Sequence, residues 1–382
     1  MPAAPDAATP PAVAARRRPR VAFHAPMKPP DHPTPSGDRQ IARLTLRALE
    51  AAGFEPIVAS RLRSLDMAGD PAAQDRLIRE AEAEVARIRA ARGPRPSLWF
   101  TYHCYWKAPD LIGPAAARAL GIPYVISEPS LSPRRRDGPW ASFAAAAERA
   151  IAAADLLFWT TARDRPALEA AGCGPRMVHL PAFVDTGPAP DPRPAATPLR
   201  LLTVAMMRDG DKAASYRRLA AALDALGPED DWTLDVIGDG PARAEVASLL
   251  APFGARVRLL GPCDPAAIRP AMEAADLLLW PGVGEGVGLV WLEAQAAGLP
   301  VVAEDGPAAR AALAPALQPL PPPGDAAAMA GAIRVAATRR AELGRAVRAH
   351  AEARHSLASA AAILHDTLLP LANPSTPPPS GR

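Results

Sequence analysis

The chain has 382 residues, a length that suggests two domains or one large one, with a formal net charge of +3 that is too small to argue for a nucleic-acid partner. Hydrophobic residues make up 49% and charged residues 22%, an ordinary globular balance. The cysteines Cys104, Cys173 and Cys263 are sparse and far apart, which argues against a disulfide framework or a zinc site and fits a reducing, cytoplasmic compartment.

The first 18 residues are rich in proline and alanine and end in arginines, the reverse of the order in a signal peptide, and read as a disordered tail. No apolar run approaches the roughly 18 residues that a membrane span needs. From there short apolar runs alternate with longer amphipathic stretches. "RVAFHAP" predicts a strand ending at His24. "SGDRQIARLTLRALEAAGF" predicts a helix capped near Ser36 and stopped at Gly53. "EPIVAS", "SLWFTYH", "IPYVIS", "ADLLFWTT" and "RMVHLPA" follow as strand candidates, with helical stretches such as "DRLIREAEAEVARIRAA" and "DLIGPAAARAL" between them. Strands alternating with helices indicate βαβ units and a parallel sheet.

The proline-rich stretch from Val184 to Pro198 breaks this series and reads as a linker, taken as 186–198. Beyond it the alternation resumes with "LRLLTVAMM", "WTLDVIG", "RVRLLG", "DLLLWP" and "LPVVAED". Two such series predict an α/β chain of two Rossmann-like domains facing each other across a cleft, 19–185 and 199–350. Ligands in such sheets bind beyond the carboxyl ends of the strands, so the loops after each strand carry the chemistry.

The glycines after "LDVIG" and "LLLWP" have the wrong spacing for a dinucleotide fingerprint, since position 243 is Arg243 and the later glycines fall at 282, 284, 286 and 288. That later run still follows a strand and opens a helix predicted to start near Val287. Glycine admits a ligand close to the backbone, and a helix start favours an anion. Glu285 lies in this loop and Glu293 lies about two helical turns in. A carboxylate beside a phosphate would repel it, but it can accept hydrogen bonds from a sugar diol. Glu293 could equally satisfy the helix dipole.

Asp209 and Asp211 form a DxD, yet Arg208 and Lys212 flank it, and their charges oppose a cation; no metal site is expected. Arg208 and Lys212 instead suit a phosphate clamp. In the first half, His103 and Glu128 stand where strands would deliver them to the cleft, although a packed histidine is the bland alternative. Gly37, beside Ser36 and Asp38, could present helix-start amides to an anion, and an ordinary N-cap explains it equally well. Arg135 lies in the basic run Arg134–Arg136, which is either a solvated turn or a greeting for an acidic acceptor or the inner membrane face.

Glu285-x7-Glu293, followed by "EAQAAGLPVVAED" and preceded in order by "LDVIGDGPARAEVASLL", "RVRLLG" and "AADLLLWP", resembles the GT-B-fold glycosyltransferases of the family 4 type, the glycosyl transferases group 1. The likeness covers nearly all of 199–341. It implies an acceptor-side domain at 19–185, a nucleotide-sugar donor domain at 199–350, a last helix at 351–371 returning toward the first domain, and a tail at 372–382. It also implies that Glu293 holds the ribose hydroxyls of the donor and that Glu285 faces the transferred sugar. Gly286, Val287, Gly288 and Leu289 would offer amides to sugar and diphosphate, and Arg208 and Lys212 would neutralise the diphosphate. The reaction would retain configuration and need no metal or other cofactor, the nucleotide-diphosphate sugar being a co-substrate. The acceptor stays open among bacterial glycans, lipid-linked sugars and small molecules. Glu128 stands where that family often has histidine. A catalytically silent sugar-nucleotide-binding or scaffold subunit and a GT-B-fold sugar-nucleotide epimerase are the alternatives.

Overall fold

In the computed structural model, residues 18–34, 36–191, 197–314, 316–318 and 320–373 are described. The expected tails lie outside these residues except at their inner edges, as do 192–196 of the expected linker.

Near-continuous apolar runs form parallel strands covered on both faces. The first sheet contains β1 (Arg20–His24), β2 (Glu55–Ser60), β3 (Leu98–Cys104), β4 (Tyr124–Pro129), β5 (Leu156–Trp159) and β6 (Met177–His179). Its order is β2-β1-β3-β4-β5-β6, with every pair parallel. The second contains β7 (Leu199–Val204), β8 (Trp232–Ile237), β9 (Val257–Gly261), β10 (Leu277–Leu279) and β11 (Val301–Val302). Its order is β11-β10-β7-β8-β9, again all parallel. Val21, Phe23, Trp99 and Phe100 are fully buried in the first domain, and Leu234 and Leu277–Leu279 in the second.

Each order reverses once, between β1 and β3 and between β7 and β10. At such a switch point the two following loops diverge and leave a crevice. The loop after β1 leads to the helix Gly37–Ala51, and β3 ends at His103 and Cys104. The loop after β7 carries Arg208, and that after β10 carries the glycine run. All the strongest sequence candidates therefore come from loops at the two crevices or beside them.

The domains are tied by two crossings of the chain. Val184 donates its amide to His355 O at 2.8 Å, and Leu357 donates to Val184 O at 3.0 Å. Arg348, buried, donates to Thr186 O at 2.6 Å and to Gly187 O at 2.8 Å. After the second crossing the helix Leu357–Ala372 lies along the Gly37 helix, with Ala360, Ala361, Leu364 and Leu368 in the first domain's core. His365 Nδ1 is 2.8 Å from Ala52 O. Among the described residues no helix is long and apolar enough to cross a membrane.

Candidate active site

The glycine loop is shaped by packing as well as by access. A Cβ on Gly282 or Gly288 would meet the Trp291 ring at 2.1 and 2.2 Å, and both residues have positive φ, 82° and 69°. The fully buried Trp291 donates from its indole to Trp280 O at 3.3 Å. These glycines are thus required by the tryptophan beneath the loop. Ser215 Oγ accepts from Val283 N at 2.9 Å and pins the loop to the helix Asp211–Asp224.

The helix after this loop runs Leu289–Ala296, with Gly288 as N-cap, so it begins later than the sequence suggested. Glu293 sits little more than one turn in, not two, and is past the first turn where a helix dipole acts most strongly. Its carboxyl has no hydrogen-bond or ion-pair partner among the described residues. Burial pushes its pKa up to about 7. The amides of Gly286, Val287, Gly288 and Leu289 likewise donate to no protein acceptor. The loop therefore offers free donors beside one free, desolvated acceptor.

Glu285 is differently placed. It accepts from the Trp280 indole at 3.0 Å and pairs with Lys212, whose ammonium also lies 5.2 Å from the Trp280 ring centroid. Lys212 is thus shared with a carboxylate rather than free for a phosphate. Arg208 is exposed and has no acidic partner among the described residues. Lys28, from the loop after β1, reaches into the same field. Burial lowers its pKa, Arg63, Arg208 and Arg39 lower it further, and Asp38 opposes them. Cations from both domains therefore converge, Lys212 paired with Glu285, Lys28 within the field of Asp38 and Arg208 without an acidic partner among the described residues.

On the opposite wall, Gly37 faces Leu289 across the cleft; a Cβ there would stand 3.9 Å from Leu289 Cδ1. Ser36 caps its helix by accepting from Arg39 N at 3.2 Å. Asp38, in the first turn, lies 3.2 Å from His103 Nδ1. His103 and Glu128 are the two non-glycine residues with positive φ among those described, at 61° and 53°. Such backbone is costly for a side chain and concentrates at functional sites. Glu128 lines a small pocket together with Leu289 of the other domain, and the His103 ring lies between Asp38 and Tyr105.

Their electrostatics are coupled. Burial works against the charged His103 ring, but the Asp38 hydrogen bond and the Glu128 charge outweigh it and raise its pKa. Burial would raise the Asp38 carboxyl, yet the hydrogen bond and charge of His103 hold it below its ordinary value. Burial pushes Glu128 up to about 7, with His103 opposing and Asp38 and Asp164 adding to the rise. A carboxyl pushed up to about 7 beside an imidazole held above its ordinary value can exchange protons with a hydroxyl.

Other candidates fall elsewhere. His24 is 1% exposed, and its Nε2 is 3.8 Å from buried Asp110; burial lowers its pKa, so it belongs to the core. Arg135 stacks on Trp106, with its guanidinium carbon 4.4 Å from the ring centroid. No group of three or more metal-ligating side chains occurs among the described residues. Asp38, Lys28 and Trp280 were missed by sequence reasoning. Asp38 could have been found, because it lies next to Gly37 at the start of a helix on the cleft. Lys28 and Trp280 carry no local signal.

Residues 198–338 match the family model described as Glycosyl transferases group 1. A phosphatidyl-myo-inositol mannosyltransferase of Mycobacterium leprae is 40% identical over 106 residues, which are 27% of this chain and 28% of that protein. The match thus spans less than a third of that relative. Among solved structures, a sucrose-phosphate synthase from Thermosynechococcus elongatus superposes with a TM-score of 0.68 at 20% identity, over 94% of this chain and 100% of the other. Anabaena HepE in complex with UDP-glucose superposes at 0.64 and 17% identity, covering 92% and 99%. A glycosyltransferase from Rickettsia africae gives 0.66 and 12%, covering 94% and 99%. The architecture is the GT-B fold.

Proposed function

We propose, from the match of residues 198–338 to the glycosyl transferases group 1, that this protein transfers a sugar from a nucleotide-diphosphate sugar to a hydroxyl-bearing acceptor. The observation that carries the reading is the unpartnered, desolvated Glu293 beside the free amides of Gly286–Leu289, with unpaired Arg208 on the loop after the neighbouring strand β7. A nucleotide sugar has what each part lacks: a ribose diol for the carboxylate and a diphosphate for the amides and cations.

In this reading Glu293 accepts the ribose hydroxyls. Arg208 and the loop amides hold the diphosphate, and Lys212 divides its charge between it and Glu285. Glu285, held by Lys212 and the Trp280 indole, faces the transferred sugar. As the glycosidic bond breaks, negative charge grows on the diphosphate, and these donors stabilise it. Glu128 and His103, on strained backbone and tuned by Asp38, order the acceptor hydroxyl and take up or return its proton. The transfer retains anomeric configuration, and no covalent intermediate on the enzyme is assigned. The unpaired cysteines Cys104, Cys173 and Cys263 support a reducing, cytoplasmic setting.

The test is a thermal-shift screen against nucleotide sugars, followed by detection of released nucleoside diphosphate. One base and sugar should raise the melting temperature, since a ligand of the folded state alone stabilises it. If none does, the reading falls. Binding without turnover would point to a silent subunit, and donor conversion without acceptor to an epimerase.

Turnover is also expected to persist in excess EDTA. The positive charge at the diphosphate comes from Arg208, Lys28 and Lys212, and the Asp209/Asp211 pair stands among those cations. Loss of activity in chelator, restored by magnesium or manganese, would return those aspartates to a ligand role.

A further inference from the structure

A cavity of about 490 Å³ adjoins the Glu285 loop on the side of the interdomain crossing. It is walled by the ends of β5 and β6, by Gly284–Val287, by the segment after β11 and by the end of the helix Arg340–Arg354. That volume is within the range of small-molecule sites.

Its charge is one-sided. Arg310 is matched by Asp305 and Glu285 by Lys212. Arg163 and Arg354 line the same cavity and have no acidic partner among the described residues. His179, His350 and His355 line it too. Burial lowers the pKa of all three, and the charge of Arg354 lowers it further. His355 is 4% exposed, with Nδ1 2.8 Å from Ala182 O, which assigns the ring proton to Nδ1. Its Nε2 is buried without a partner, as is Nε2 of His350. Both atoms are closed off from solvent, the two rings packing on each other with centroids 5.2 Å apart, so the open face of the cavity is set by the two unmatched guanidiniums. An anion fits that face: it pairs with the guanidiniums, and its charge favours imidazolium in the histidines beside it.

We propose that this cavity is an acceptor subsite for an anionic group, a carboxylate or a phosphate. Resting on the glycosyltransferase reading, it makes the acceptor an acidic molecule. Its reacting hydroxyl lies between Glu285 and the Glu128 carboxyl, and its anionic group lies toward Arg163, Arg354 and His355.

The test titrates the full-length protein with inorganic phosphate and with acetate, following the His355 imidazole resonances by NMR. Arg208→Ala serves as background, so that phosphate at the donor site does not count. Saturable binding should shift the His355 signals, and Arg163→Ala/Arg354→Ala should weaken it at least tenfold at an unchanged melting temperature. Absent His355 shifts, or shifts indifferent to the double substitution, overturn the subsite. A second arm compares glucose, glucuronate and glucose 6-phosphate as acceptors once a donor is known. At least a tenfold preference for an acidic sugar, lost in the double variant, supports the proposal and tells carboxylate from phosphate; equal use of all three overturns it. Failure of the donor reading shows separately, as the absence of any nucleotide-sugar shift in melting temperature, and the phosphate titration does not depend on it.

Discussion

Arg208→Ala is expected to lower kcat about a hundredfold, corresponding to roughly 3 kcal/mol, the scale for losing one donor to a developing oxyanion. Arg208 carries no partner among the described residues, so its charge is undiluted. Lys212 is bound to Glu285 and lies over Trp280, so its own truncation mixes two effects: one less cation at the diphosphate, and a Glu285 carboxylate held only by the indole. Only stabilisation that is greater in the transition state than in the ground state accelerates the chemistry. Both substitutions should therefore reduce kcat more than they raise KM, with Arg208 giving the cleaner signature. Because the two cations act on one diphosphate, the double variant should fall short of the product of the singles. Steady-state kinetics decides: a raised KM at constant kcat would make the pair mere holders of the donor.

Glu293→Gln should weaken donor binding ten- to a hundredfold, about 1–3 kcal/mol for losing charge-assisted hydrogen bonds, and at the same time stabilise the fold at alkaline pH. The carboxyl is raised from an ordinary 4.5 to about 7 in the folded protein. Between those values the folded state binds more protons than the unfolded one, so stability falls as pH rises across that window. Above it the ionised, desolvated group costs on the order of 1–3 kcal/mol, allowing for its partial exposure. Glutamine removes that cost at pH 8, raising the melting temperature by several degrees, and has little effect near pH 4.5. Wild-type donor affinity should rise with pH through about 7, because hydroxyls bind the carboxylate, and the variant should lose this dependence. Unchanged donor affinity in a well-folded variant would remove Glu293 from the donor site.

The strands were legible because parallel strands buried on both faces read as unbroken apolar runs: "SLWFTYH" and "DLLLWP" stand out without any tertiary knowledge. The two-domain GT-B frame followed from their alternation and from the motif around Glu285. The helix start was misplaced at Val287 because Gly288 takes left-handed backbone to clear Trp291, a contact no local pattern announces. Lys212 and Glu285 are 73 residues apart, and their pairing arises only when the loops after β7 and β10 meet at a switch point. The strain at His103 and Glu128 and the coupling of both to Asp38 join three separate loops in the same way. His355 and Arg354 had no visible role in sequence, since only the second crossing brings them back to the cleft.

Those crossings also decide how the cleft can open. Val184 and the His355–Leu357 segment are bonded to each other beside the edge strand β6, and the same cavity borders the segment after the other edge strand, β11. Any rigid swing of one domain against the other about this seam has its axis there. Displacement then grows along each sheet, by one lever-arm increment of about 4.8 Å per strand. The loops after β8 and β9 travel farthest, while walls next to the axis scarcely part. Contacts from Arg208, on the loop after β7, are consequently assembled by closure, whereas the glycine loop after β10 and the pocket at the seam, being nearer the axis, move less.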